Sequence, residues 1–207
     1  MNDDDDSIKI LDHEVAFQGF ARIDRYRLKH RLYAGGWSEE MQREIFDRKS
    51  SVGVLLYDPI RDIVVLIEQF RLAAHLAELP AWQIEIVAGM LDHSGESAAD
   101  VAQREAKEEA GLAILGDPQF IHRYMPSSGA CTEIVDLYCG RVDARDAGGI
   151  HGLAGEHEDI KVLPLKFKDA MARVQADQIH NGLTLLALYW LAANRTALRK
   201  HWKASAD

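Results

Sequence analysis

Alternation of apolar and polar positions marks the N-terminal part of the chain, and helical periods appear further on. Tyr26, Leu28, His30 and Leu32 alternate with Arg25, Arg27, Lys29 and Arg31, which predicts a half-buried antiparallel strand with a basic outer face. Gly35-Gly36 ends it, and residues 41–48 fit a helix or a strand equally well. Residues 51–57 and 63–71 read as strands of one hairpin, joined by Asp58-Pro59-Ile60-Arg61-Asp62 with Pro at its favoured second turn position. Residues 82–88 form another strand, which runs into a Gly-containing loop and then a helix. Strands at 120–125, 134–142 and 159–165 complete a mixed sheet. A short helix over 167–176 and a long one over 184–203 close the chain; Leu185, Leu188, Tyr189, Leu191 and Ala192 form the apolar side of the second.

The helix after residue 96 carries the candidate chemistry. Ser97 and Asp100 predict a capping box, and Gly111 a left-handed stop. Ala99, Ala102, Ala106 and Ala110 recur at helical period, so this face can lie close against a sheet. Glu105, Glu108 and Glu109 share another face and crowd their negative charges there. Arg104 can pair with Glu108 one turn on, while Glu105 and Glu109 have no evident partner nearby. A hard divalent cation, Mg²⁺ or Mn²⁺, would supply the missing charge through oxygen ligands. Glu-Glu-x-Gly alone would read more readily as a solvated acidic helix with no ligand.

Composition narrows the class of partner. The 207 residues suffice for one sizeable core, and 47% of them are hydrophobic. A formal net charge of −9 argues against nucleic acid or an anionic membrane as partner. Cys131 and Cys139 show no metal or disulfide spacing, so a reducing, cytoplasmic setting is expected. Met1-Asn2 and the four aspartates that follow look like neither a signal peptide nor an anchor, and no apolar run reaches membrane-spanning length. The expected organisation is a disordered acidic tail over 1–14, a strand region over 15–50 and a catalytic domain over 51–207.

The run Glu96, seven residues, then Arg104-Glu105-Ala106-Lys107-Glu108-Glu109-Ala110-Gly111-Leu112 resembles the Nudix box, with Gly89 as its upstream glycine. Two positions depart from the pattern: six residues separate Gly89 from Glu96 where the box has five, and Ala106 stands for a bulkier aliphatic. The resemblance implies a Nudix fold, a mixed-sheet α/β/α sandwich, here with an N-terminal antiparallel strand region. Arg43-Glu44-Ile45-Phe46, Glu68-Gln69-Phe70-Arg71, Glu85-Ile86-Val87-Ala88-Gly89-Met90 and Gly149-Ile150-His151-Gly152-Leu153-Ala154 are similar to the ADP-ribose-hydrolysing branch of that family. That branch usually carries Pro-Gly after the box, where this chain has Ser128-Gly129.

The resemblance implies a Mg²⁺-dependent enzyme that splits ADP-ribose into AMP and ribose 5-phosphate. Its metal ligands would be Glu105, Glu109, Glu158 and the carbonyl of Ala88, with Glu156 as general base and Glu108 and Arg104 supporting them. Glu156-His157-Glu158-Asp159 would otherwise be a solvated acidic loop, and Arg104 an ordinary surface pair. Substrate contacts would come from Arg43, Arg71, Glu85, Glu133 and Phe20. On residues alone, either arginine fits a surface ion pair and Phe20 fits core packing. In the family this aromatic stacks on adenine from the partner subunit, which implies a homodimer with exchanged N-terminal strands. Two other functions fit the same scaffold: hydrolysis of sugar nucleotides such as GDP-mannose, and ADP-ribose binding without turnover.

Overall fold

A computed structural model describes residues 6–91 and 95–204, the side chains of Glu156, Lys203 and Ala204 excepted. The chain divides into two units, residues 1–50 with 124–134, and residues 51–123 with 135–207. Residues 1–5 of the expected acidic tail lie outside the described residues. Its remainder is a correction, because Ile8–Gln18 is a strand (β1) and the strand region starts seven residues before Val15.

In the first unit β1 pairs antiparallel with β2 (Arg22–His30), and β2 with β3 (Met41–Asp47), in the order β1-β2-β3. Residues 41–47 are thus a strand, the partner of β2 deciding what periodicity left open. The arginines of β2 are held by carboxylates from both neighbours: Arg25 bonds Glu14 and Glu44, and Arg27 bonds Asp12 and Glu40. The expected half-burial is spread over both faces, and Asp24, 2% exposed, is the buried residue of β2. His13 and Arg22 satisfy its carboxylate. Segment 130–132 runs beside β3 through Phe46 N–H to Ala130 O and Thr132 N–H to Phe46 O.

The second unit is built on the hairpin β4 (Ser51–Asp58) and β5 (Ile63–Phe70). Their register joins Leu56–Asp58 to Ile63–Val65. Beyond that the two strands splay, and one segment fills the gap. Its first part, β6 (Trp82–Glu85), pairs with β5; its second, β7 (Val87–Met90), pairs with β4. The single strand expected over 82–88 is therefore two, with the change of partner at Ile86.

A short helix, α1 (Leu72–Leu76), follows β5, and α2 (Ala98–Ala110) follows β7. The sheet is completed by β8 (Gln119–Tyr124), β9 (Val135–Arg141), β10 (Ile150–His151) and β11 (Ile160–Lys166), in the order β10-β11-β5-β4-β9-β8. The β4–β9 pair is parallel and the remaining pairs with a described register are antiparallel, a mixed sheet as predicted. Between β10 and β11 lies a single 3-10 turn, Ala154–Glu156. Helices α3 (Phe167–Gln175) and α4 (Gly182–Ala204) close the chain.

Strand β4 shows the layering. Val52, Val54 and Leu56 join the apolar cluster of α2, with Val101, Ala102, Ala106 and Ala110. On the other face, Leu183 of α4 leaves no room for a side chain at Gly53, and the Tyr57 ring meets Trp202. Both faces of the strand are covered, hence its unbroken apolar run. No helix among the described residues is long and apolar enough to cross a membrane.

Candidate active site

Helix α2 is fixed at both ends by the predicted signals. Ser97 and Asp100 form a reciprocal capping box, and Gly111 is left-handed at φ 66°. These caps and the alanine stripe set the rotation of the helix, which turns Glu105, Glu108 and Glu109 toward β7 and the loop after β10. Glu109 is 3% exposed and accepts a hydrogen bond from the Ala88 N–H at 3.1 Å. Glu105 lies so close to the β7 backbone that a Cβ at Gly89 would occupy the place of its carboxylate. This is why Gly89 is glycine.

Arg104 answers more charge than its helical spacing suggested. Its Nη1 donates to Glu105 at 2.7 Å and to Glu108 at 3.0 Å, and Nε donates to Glu96 at 3.1 Å. The expectation that Glu105 lacks a local partner is corrected. The Glu96 hydrogen bond, followed by the neighbouring carboxylates, holds the guanidinium firmly charged against its burial.

Burial pushes the Glu109 carboxyl up to about 8, and the charges of Glu105 and Glu158 add to this; the Ala88 amide and Arg71 oppose it. Burial likewise raises Glu105, against the pull of Arg104, with Glu108 and Glu158 raising it further. The structure therefore brings Glu108, Glu109 and Glu158 within electrostatic reach of Glu105, and Glu158 within reach of Glu109. Glu158 is half-buried and accepts from the Leu153 N–H at 3.0 Å. The Glu156 side chain lies outside the described residues.

On the β5–β6 edge, Glu85 is buried and held by Arg71 Nη2 at 2.8 Å and Gln69 Nε2 at 3.3 Å. Burial works against the charge of Arg71, but Glu85 first and then Glu109 and Glu158 maintain it. Arg71 is thus a cation facing the acidic group. Gln69 was not singled out by sequence reasoning, although it lies in a quoted motif. Neither were Asn181 and Thr184, whose N-cap spacing is legible. Ile86 N–H, left without a sheet partner where β6 becomes β7, donates to Thr184 Oγ1 at 2.9 Å; that hydroxyl donates to Asn181 Oδ1 at 3.0 Å.

The other three expected contacts belong to the first unit. Phe20 is fully exposed in the β1–β2 connection, so it packs in no core among the described residues. Arg43 is exposed on β3, with Nη1 on the Gln42 carbonyl at 2.8 Å. Glu133 is buried and lies 3.5 Å from Arg48.

The donor set of the second unit fits a hard divalent cation: carboxylate oxygens around a backbone turn, one of them too buried to ionise easily alone. Among the described residues, no three carboxylate, imidazole or thiol groups already converge as a metal cluster. Arg104 and the Leu153 amide currently hold Glu105 and Glu158.

Residues 47–181 match the NUDIX domain family, and the chain belongs to that family. It is 43% identical over 195 residues to the ADP-ribose pyrophosphatase of Escherichia coli (strain K12), covering 94% of this chain and 92% of the relative. The ADP-ribose pyrophosphatase of Haemophilus influenzae is 37% identical over 201 residues, covering 96% of this chain and 92% of the relative. A GDP-mannose pyrophosphatase of Enterobacter sp. (strain 638) is 34% identical over 152 residues, 72% of this chain and 77% of the relative. The crystal structure of an ADP compounds hydrolase shares the fold, with a TM-score of 0.67 at 17% identity over 91% of this chain and 96% of that one.

Proposed function

We propose that the protein hydrolyses the pyrophosphate bond of ADP-ribose in the presence of Mg²⁺, giving AMP and ribose 5-phosphate. The observation that carries this reading is the buried Glu109 carboxyl, held on the Ala88 amide beside Glu105 and within the field of Glu158. Glu105, Glu109, Glu158 and the Ala88 carbonyl would hold the cation. When bound, it neutralises the diphosphate charge that otherwise repels a nucleophile. Arg104 orients Glu105 and Glu108 through its two Nη1 hydrogen bonds. Arg71, fixed by Glu85, presents a cation to substrate phosphate.

Water adds to one phosphorus, the bridging P–O bond breaks and the water proton passes to a loop carboxylate, assigned to Glu156 by resemblance. Phe20, Arg43 and Glu133 are assigned to substrate on the same basis. We assign the protein to the cytoplasm, where its two free cysteines would stay reduced. We also propose a homodimer with exchanged N-terminal strands. The GDP-mannose relatives support a second reading, at lower identity and over less of the chain.

The test is a product assay across nucleotide sugars with Mg²⁺ in ¹⁸O-water. AMP and ribose 5-phosphate should appear from ADP-ribose with the highest kcat/KM of the panel, and the label identifies the attacked phosphorus. Faster turnover of GDP-mannose would transfer the assignment to that substrate. Calorimetric binding of ADP-ribose with no AMP release would make the protein a binding module.

A further inference from the structure

The stretch from Gly149 to Ala154 carries none of the chemistry assigned above, yet it touches the end of the helix that does. Helix α2 stops at left-handed Gly111, whose N–H bonds Lys107 O at 3.1 Å while Leu112 N–H bonds Ala106 O at 3.0 Å. Such an ending leaves carbonyls of the last turn without helical partners. One of them, Glu108 O, accepts from the Gly152 N–H at 3.2 Å. Immediately beside it the His151 ring lies on Gly111, where an added Cβ would come within 2.5 Å of Cε1. Gly111 therefore serves the helix stop by its φ and the loop by its lack of a side chain.

The ring is itself held. His151 Nε2 lies 2.8 Å from the Gly148 carbonyl, and because a carbonyl only accepts, the proton is on Nε2. From this point the contacts lead directly to Glu158. A Cβ at Gly152 would lie 2.7 Å from the Glu158 Cβ, and Leu153 N–H bonds Glu158 Oε2.

We propose that His151 is a positioning residue: seated on Gly111 beside the Gly152–Glu108 hydrogen bond, it latches the base of the 152–158 loop to α2. The latch keeps the Glu158 carboxylate in register with those of the helix. Its value for turnover rests on the hydrolase reading; its existence as a latch does not.

Hydrogen exchange of the full-length, metal-free chain tests the latch first. In His151→Ala the amides of residues 152–158 should exchange about tenfold faster, with β4 and β5 unchanged. Turnover of ADP-ribose in Mg²⁺ should then fall about tenfold in kcat with a smaller change in KM. His151→Gln, which can still donate to Gly148, should recover part of it. Gly111→Asn tolerates the left-handed backbone but displaces the ring, so its effect should vanish in the His151→Ala background. Unchanged loop exchange in His151→Ala, or additive effects of the two substitutions, would overturn the latch. If His151→Ala folds poorly, His151→Gln and Gly111→Asn decide by the same exchange measurement. A wild-type chain that leaves ADP-ribose intact would refute the function while the exchange result still judged the latch.

Discussion

Glu109 holds a carboxyl group in the buried wall of α2, where losing its proton means placing a charge out of water beside two other acids. Burial first, then Glu105 and Glu158, raise its pKa from 4.5 to about 8. The unfolded chain releases this proton near 4.5 and the folded one near 8. The stabilising contribution is therefore complete at acid pH and is lost as pH rises between those values. In EDTA, Tm should fall across this interval, and Glu109→Gln should flatten the decline. The proposed Mg²⁺ site requires the ionised form, so the ion should restore Tm progressively more as pH approaches 8 in the wild type and leave Glu109→Gln unmoved. A Tm profile identical in the two proteins, with and without Mg²⁺, would remove Glu109 from the metal site. The spacing of Glu105 and Glu109 was legible because helix geometry alone places them together. The Arg104–Glu105 bond was not, since adjacent helical residues diverge and only the bend of a long side chain joins them.

The least legible element is the segment from Trp82 to Met90. Its residues alternate from Trp82 to Ile86 and then run apolar through Val87 and Ala88 with no turn signal, and the break at Ile86 depends on how β4 and β5 splay, which no local pattern records. The break places Glu85 against Arg71 on one side and Ala88 against Glu109 on the other. What stabilises it is a hydroxyl from α4, 98 residues away in sequence: Thr184, wholly buried, accepts the Ile86 N–H. Thr184→Val keeps the shape and removes that acceptor, leaving a buried donor unpaired at a cost of about 1–3 kcal/mol. Its Tm should drop accordingly, and ADP-ribose turnover should drop with it because Glu85 and Ala88 flank the break. Thr184→Ser should restore both. Val and Ser variants that behave alike would show that packing, not the hydroxyl, maintains the crossover. Helix α2 was legible by contrast because its caps, stripe and stop are all local.

At the scale of the whole molecule, β1 is an apolar edge strand left exposed among the described residues. Ile8, Ile10, Leu11, Val15 and Phe17 are all exposed, and β1 is the edge of its three-stranded sheet. The tail-like charge of residues 3–6 concealed this in the sequence. Long apolar edge strands invite pairing with another chain, and although two register shifts interrupt β1 and the ion pairs of Arg25 and Arg27 tie it to β2, its apolar side chains stay exposed. A second copy is the occupant we propose, seated on the exposed apolar side chains of this edge strand. Light scattering should give twice the chain mass at micromolar concentration. Placing charge on the uncovered strand, Val15→Asp with Phe17→Asp, should yield the chain mass with the α2 core intact by circular dichroism. If Phe20 reaches adenine from the partner, this variant should also lose ADP-ribose affinity far more than kcat, and Phe20→Ala should reproduce that loss while remaining dimeric. A wild-type monomer would end the exchange proposal, and a monomeric variant with unaltered KM would separate assembly from substrate binding.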